Sequence, residues 1–228
     1  MAINVNTVYK TVLLVLNKEQ RGYMTPEEFN KIGAQVQLEI FEKYFEDLNQ
    51  LTRSPQTDTD YADRIAYLEE KLSPLTKYEA GASSQEGVLT NQVHRLNTVV
   101  YNDLELQRVS RGEYTNINKS PLTKPSLTQP VFIQESNLIY TYPASISSNV
   151  FVSYIKKPND PVWAFNTANS LGVYVYDSDN STDFELHSSE QTEVILRILA
   201  YAGIVLNNPQ IVQAASAAIQ NQNINEKR

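Results

Sequence analysis

Apolar and polar positions separate most sharply between Thr25 and Leu51. At about 100° per residue, Phe29, Val36, Ile40, Phe41, Tyr44, Phe45, Leu48 and Leu51 share one broad arc. Ile32 and Leu38 stand at its edges, and Lys31, Gln35, Glu39, Glu42 and Glu46 keep to the other side. Thr25 is a good N-cap, Pro26 fits the first helical position, and Glu28 completes a capping box. The spacing predicts one helix over 26–50, with Gly33 its weak interior residue. An arc this wide asks for neighbours on more than one side. Two readings follow: a central core helix, or a helix with one side against another subunit.

Helical spacing also predicts a first helix over 3–16, from Val5, Val8, Tyr9, Val12, Leu13 and Leu16. A third runs over 58–72, where Tyr61, Ile65, Leu68 and Leu72 form a seam too short for a free coiled coil. Between the second and third, 52–57 is a loop around Pro55, and Ser73-Pro74 stops the third. EAGASSQEG (79–87) is the most linker-like segment of the chain.

After it the period shortens. RLNTVVY (95–101), LELQRV (104–109), PVFI (130–133), NLIYTY (137–142), NVFVSYI (149–155) and GVYVY (172–176) read as strands, with Asn102-Asp103 and 134–137 as turns. Prolines space the strands and protect edges. Helix returns where Ser188 caps and Gln191 follows three residues on, with Gly203 as the expected terminator. Asn208-Pro209 opens a last, thin helix that carries only Ile211, Val212 and Ile219 among Ala and Gln, then a polar tail containing Ile224. So little apolar area holds a helix weakly, which points to fraying or to a neighbour that secures it.

The pattern predicts an α+β chain: an N-terminal helical part (1–78) with one long central helix, a linker (79–87), an antiparallel β-rich domain (88–186), and C-terminal helices with a tail (187–228).

Composition narrows the chemistry. No cysteine is present, so neither disulfides nor thiol catalysis enter. No apolar run approaches the roughly 18 residues of a membrane span, and no basic segment leads into a long apolar core, so neither a membrane helix nor a signal peptide is expected. The formal net charge of -7 argues against general nucleic-acid binding. An acidic wall can still surround DNA without gripping it. Tyr is frequent, at 14 residues, which suits packed interfaces and half-wet sheet faces equally.

Candidate catalytic groups are sparse. His94 and His187 have neither a cysteine nearby nor metal-ligand spacing, and read as structural or solvent-facing. Asp177-Ser-Asp179-Asn-Ser181-Thr-Asp183 places oxygens at alternate positions as a calcium loop does. Thr182 stands where the loop glycine belongs, and Ser188 where a bidentate Glu is needed. GxSxG, Walker A and GxGxxG motifs are absent from the sequence. No enzymatic activity, catalytic residue, cofactor or metal is expected. An enzyme remains the third reading, tested by substituting His94 and His187 together.

Three stretches carry a resemblance. NKEQRGYMTPEEFNKIGAQVQLEIFEKYFEDLNQ (17–50) resembles the opening of virion structural proteins of tailed bacteriophages, especially crAss-like phages. RGEYTNINKSPLTKPSLTQPVF (111–132), with NLIYTYP and VSYIKKPNDPVW behind it, and DFELHSSEQTEVILRILAYAGIVLNNPQIVQAA (183–215) look like the same family, in matching order.

The resemblance implies a ring or adaptor protein of the neck, between portal and tail, in the virion after synthesis in the host bacterial cytoplasm. Its partners would be copies of itself, twelve in a ring, the portal protein and neighbouring neck or tail proteins, with DNA and ejected proteins passing through. On this expectation Phe29, Val36, Phe41, Tyr44 and Phe45 of the long helix, with Ile211, Val212, Ile219 and Ile224 of the tail, are candidate subunit contacts. The alternative is another virion structural or binding module, a tail or capsid component without a ring, in which Trp163 of PNDPVWAF anchors a partner; the competing and favoured reading of this residue is a core tryptophan.

Overall fold

The computed structural model describes residues 2–18, 23–53, 60–80, 86–88, 93–136, 138–146, 148–168, 173–205 and 209–226. Among them the elements run α1 (Val5–Lys18), α2 (Pro26–Arg53), α3 (Asp60–Leu72), β1 (Thr76–Ala80), β2 (Glu86–Val88), β3 (Val93–Tyr101), β4 (Leu104–Glu105), β5 (Gln107–Arg108), α4 (Arg111–Ile117), β6 (Val131–Glu135), β7 (Leu138–Tyr142), β8 (Val150–Lys156), β9 (Phe165–Ala168), β10 (Val173–Tyr176), α5 (Gln191–Val205) and α6 (Pro209–Glu226). This is the α+β order the pattern predicts: helices, sheets, helices. Two compact units result, one of Met1–Pro74 with Pro158–Arg228, the other of Leu75–Lys157. The segment 158–186, grouped with the β-rich domain on sequence, therefore belongs to the helical unit.

The helical unit is built around α2. Its start is the predicted capping box: the Thr25 amide donates to Glu28 Oε2 at 2.9 Å and the Glu28 amide to Thr25 Oγ1 at 3.3 Å. These bonds, backbone first, hold the Glu28 carboxyl below its ordinary range. Phe29, Val36, Ile40, Phe41, Tyr44 and Phe45 are all buried, whereas Lys31, Gln35, Glu42 and Glu46 face solvent. The wide apolar arc is satisfied inside the unit, by α3, by α5 and by the segment around Phe184. A Cβ on Gly33 would lie 3.4 Å from Phe184 Cζ, so this glycine admits that ring against the helix. Ile3 and Phe184 exchange two backbone hydrogen bonds of 3.1 Å, tying the lead-in of α1 to the segment before α5.

Gln37, 2% exposed, reaches the same segment. It donates to the Asn159 carbonyl at 2.6 Å and accepts from the Glu185 amide at 3.0 Å. One buried amide thus ties two irregular stretches of chain to α2.

Two features of the C-terminal helices differ from the sequence reading. Ser188 does not cap α5: 188–190 form a 3-10 turn capped by His187, and α5 starts at Gln191. Gly203 does not end α5 but sits within it, where an added Cβ would meet Ile211 Cγ2 at 3.0 Å and Val212 Cγ2 at 3.1 Å. The glycine lets α6 approach, and α6 packs along α5 with Ala215 buried.

In the second unit two four-stranded sheets, in the orders β1-β8-β3-β4 and β2-β7-β6-β5, pack face to face. Val99, Val150, Val152 and Tyr154 of the first meet Phe132 and Ile139 of the second, with Leu106 and Ile146 between. Val131 and Ile133 point the other way and are covered by Tyr114 and Ile117 of α4. Strand β6 is buried on both faces, which is why PVFI reads as a continuous apolar run.

Among the described residues the strands pair antiparallel except β5 with β6, which is parallel. LELQRV is not one strand: it breaks at the buried Leu106 and its halves join different sheets. The linker reading of 79–87 is also revised, since Glu79 and Ala80 end β1 and Glu86 and Gly87 open β2; 81–85 lie outside the described residues.

Candidate functional site

The predicted contact residues divide by burial. Phe29, Val36, Phe41, Tyr44 and Phe45 are 0–8% exposed within the chain's own core. That corrects their assignment to a subunit contact, because a side chain already surrounded has no area left to give a neighbour. Ile211, Val212 and Ile219 are half-buried and keep accessible surface. The Ile224 side chain lies outside the described residues.

Trp163 is not a surface anchor either. It is 4% exposed and ties α1 and α2 together. Its backbone amide donates to Asn30 Oδ1 at 2.8 Å, Asn30 Nδ2 donates to its carbonyl at 3.2 Å, and its indole donates to Asn6 Oδ1 at 3.2 Å. Its ring lies 4.4 Å from that of Tyr9. A buried tryptophan with its N–H satisfied is a core residue with a polar handle.

Charge concentrates where α2 meets α5. Lys43 Nζ lies 3.2 Å from Glu193 Oε1, and Arg197 Nε and Nη2 lie 2.9 and 2.6 Å from the same oxygen. Arg197 Nη1 also reaches Glu39 Oε2 at 3.4 Å, and Tyr201 donates to Glu39. Burial alone would raise the Glu193 carboxyl; the charge of Lys43 and the bonds from Arg197 outweigh it and hold the group below its ordinary range. Nearby, Lys71 Nζ and Glu190 Oε1 stand 2.6 Å apart at 4% and 2% side-chain exposure, with the Tyr67 ring 4.5 Å from the ammonium. Every charge here is matched by a structural partner, so the arrangement locks helices rather than presenting a group to a ligand.

The acidic loop's oxygens are spent on hydrogen bonds within the fold. Asp177 accepts from Asn180 Nδ2 at 2.8 Å, from the Asp179 amide at 3.0 Å and from Asn166 Nδ2 at 3.2 Å, and these bonds, Asn180 first, hold its carboxyl low. Asp183 accepts from the Val5 amide at 2.9 Å, and Ser181 Oγ from the Ala164 amide at 3.0 Å. Among the described residues no cluster of three or more His, Cys, Asp or Glu is placed to hold a metal. His187 caps the turn before α5 with Nδ1, 2.9 Å from Ser189 Oγ, and His94 is an exposed residue of β3. The structure does not bring the two together in one compact unit.

The second unit holds an open cavity of about 410 Å³ beside β3, lined by Leu96, Thr98, Glu105, Arg108 and Phe132 among others. Two surface features went unnoticed on sequence. Leu122 is 95% exposed at the tip of a loop ordered by its own bonds, with Thr123 Oγ1 donating to the Ile117 carbonyl at 2.9 Å and the Lys124 amide to Ser120 at 3.0 Å. Tyr78 is 62% exposed on the edge strand β1. The prolines at 121 and 125 mark the loop, but nothing in the sequence says that its leucine stands clear of every neighbour.

No protein-family model matches the chain, and a search of curated proteins finds no match. Among the described residues no helix is long and apolar enough to cross a membrane.

Proposed function

We propose that the chain is a structural subunit of a tailed-phage neck, forming a ring between portal and tail through which DNA and ejected proteins pass. The observation that carries this is the resemblance of 17–50, 111–132 and 183–215, in matching order, to virion structural proteins of crAss-like phages. Two features of the architecture support it. The first and last of these stretches contribute α2 and α5, whose charged seam makes a rigid frame. The ordered loop bearing Leu122 and the outer side of α6 remain available for neighbours.

A ring requires a heterologous contact, one patch meeting a different patch on the next copy. The half-buried Ile211, Val212 and Ile219 place α6 at the boundary between core and surface. Deleting α6 is too blunt a test, because it would also uncover α5. Charged substitutions on exposed positions such as Gln213, Ala214 and Ala217 leave the α5 contact in place.

The direct test is co-sedimentation of the purified chain with assembled portal of the phage that encodes it. Stoichiometric binding, lost in Leu122→Asp or Ala214→Glu variants that fold normally, is the expected outcome. No binding to portal or to any neck or tail component would overturn the reading.

A further inference from the structure

Strand β1 is an edge strand whose outer side no described strand covers, and all five of its residues are exposed. Natural sheets blunt such edges with charged side chains, Lys above all, with proline, a bulge or a very short strand. Strand β1 has no proline and pairs with β8 over five consecutive positions, from Thr76 with Ile155 to Ala80 with Phe151, without a register shift, and its two charges, Lys77 and Glu79, are of opposite sign. By contrast β3, on the other side of β8, carries two irregularities.

The sequence of this edge, Thr-Lys-Tyr-Glu-Ala, is complementary to itself. We propose that β1 pairs antiparallel with β1 of a second copy of the chain, centred on Tyr78. In that register Lys77 of each copy stands directly opposite Glu79 of the other, whose Oε2 also accepts from the Tyr154 hydroxyl of its own chain at 3.0 Å and whose second oxygen faces the lysine. Opposite charges at directly paired positions favour a register, and like charges there oppose it. Residues 77 and 79 have the same parity along the strand, so both turn their backbone groups either outward or toward β8. Either way the pairing centred on Tyr78 forms an allowed antiparallel ladder.

The exposed face agrees. Tyr78 stacks on Phe151, with centroids 5.4 Å apart and planes 9° from parallel, and both rings are accessible. Pairing through β1 brings the two Tyr78 side chains side by side and extends this aromatic strip across the joint. Aromatic cross-strand pairs stabilise a sheet as charged ones do.

This contact has a twofold axis and closes at two copies, so it differs from any ring-closing contact and does not rest on the neck reading. Five residues per side make a small interface, and the dimer is expected to dissociate in roughly the 10 µM to millimolar range.

The test is sedimentation equilibrium of the full chain, with hydrogen exchange of 76–80 read at low and high concentration. The expected result is a concentration-dependent dimer and slower exchange of 76–80 as it forms. Lys77→Glu and Glu79→Lys each put like charges opposite one another at both paired positions, and each should weaken self-association about tenfold or more. An equimolar mixture of the two variants restores both opposite-charge pairs and should dimerise as well as the parent. Circular dichroism shows whether each variant keeps its fold. Exchange at 76–80 that ignores concentration overturns the proposal, as do single variants that dimerise like the parent. A mixture that fails to recover overturns the register. Protection of 76–80 by a different protein only would assign the edge elsewhere and overturn self-pairing.

Discussion

Replacing Glu190 with glutamine would leave the Lys71 ammonium buried at 4% exposure without its carboxylate, 2.6 Å away in the parent. Removing one partner of a buried pair typically costs about 3–5 kcal/mol, because the remaining charge loses a close counter-charge where little water reaches it. A ceiling comes from proton release: an amine of ordinary pKa about 10.4 can be neutralised at pH 7 for about 4–5 kcal/mol, and at pH 9 for about 2 kcal/mol. The Tyr67 face, 4.5 Å from the nitrogen, offsets part of the loss and favours the lower end. For a protein of this size each kcal/mol moves the midpoint by about 2–4 °C, so Tm should fall by about 6–20 °C at pH 7 and by less at pH 9. Differential scanning calorimetry of Glu190→Gln at the two pH values reads this directly. The double variant Lys71→Met with Glu190→Leu removes both charges and should recover most of the loss. A Tm within 2 °C of the parent at pH 7, or a larger drop at pH 9 than at pH 7, would refute the reasoning.

Three other outcomes follow from the same structure. Glu193 is held below its ordinary range by Lys43 and Arg197, so its contribution is full above the unfolded value near 4.3 and is lost as pH falls through the lower folded value. Acid denaturation of Glu193→Gln should therefore be shallower below about pH 4.3 than that of the parent, and an identical acid limb would count against the seam. Gly203→Ala gains up to about 1 kcal/mol of helix propensity but drives a methyl to 3.0 Å from Ile211, which overpacks by about 1–3 kcal/mol; urea unfolding should show a net loss, and a gain would contradict the close approach of α6. Trp163, the single tryptophan, should emit at short wavelength when folded and shift red on unfolding, and Trp163→Ala should cost about 3–5 kcal/mol by chemical denaturation.

What could be read in the sequence was whatever is encoded locally. The capping box at Thr25 and Glu28, the arc of α2 and the alternation in β8 all appear in the structure. Helix α4 was missed although Ser110 and Glu113 form a complete capping box, because Gly112 and a proline-rich sequel disguised a seven-residue helix. Strand β1 had no signal of its own: all five residues are exposed, and only its pairing with β8 makes it a strand. The burial of Phe41 and Trp163 matches the core reading of each, but an apolar arc does not by itself say whether its neighbours come from the same chain or another. Gly203 shows the same limit, its role being set by Ile211 across the turn rather than by the end of α5.

The proposed neck ring is tested most directly by native mass spectrometry of the purified chain across concentration, alone and with portal protein. The account predicts a closed multiple near twelve, formed by the chain itself or on the portal as template. A chain that never exceeds a dimer at any concentration, with or without portal, would contradict it.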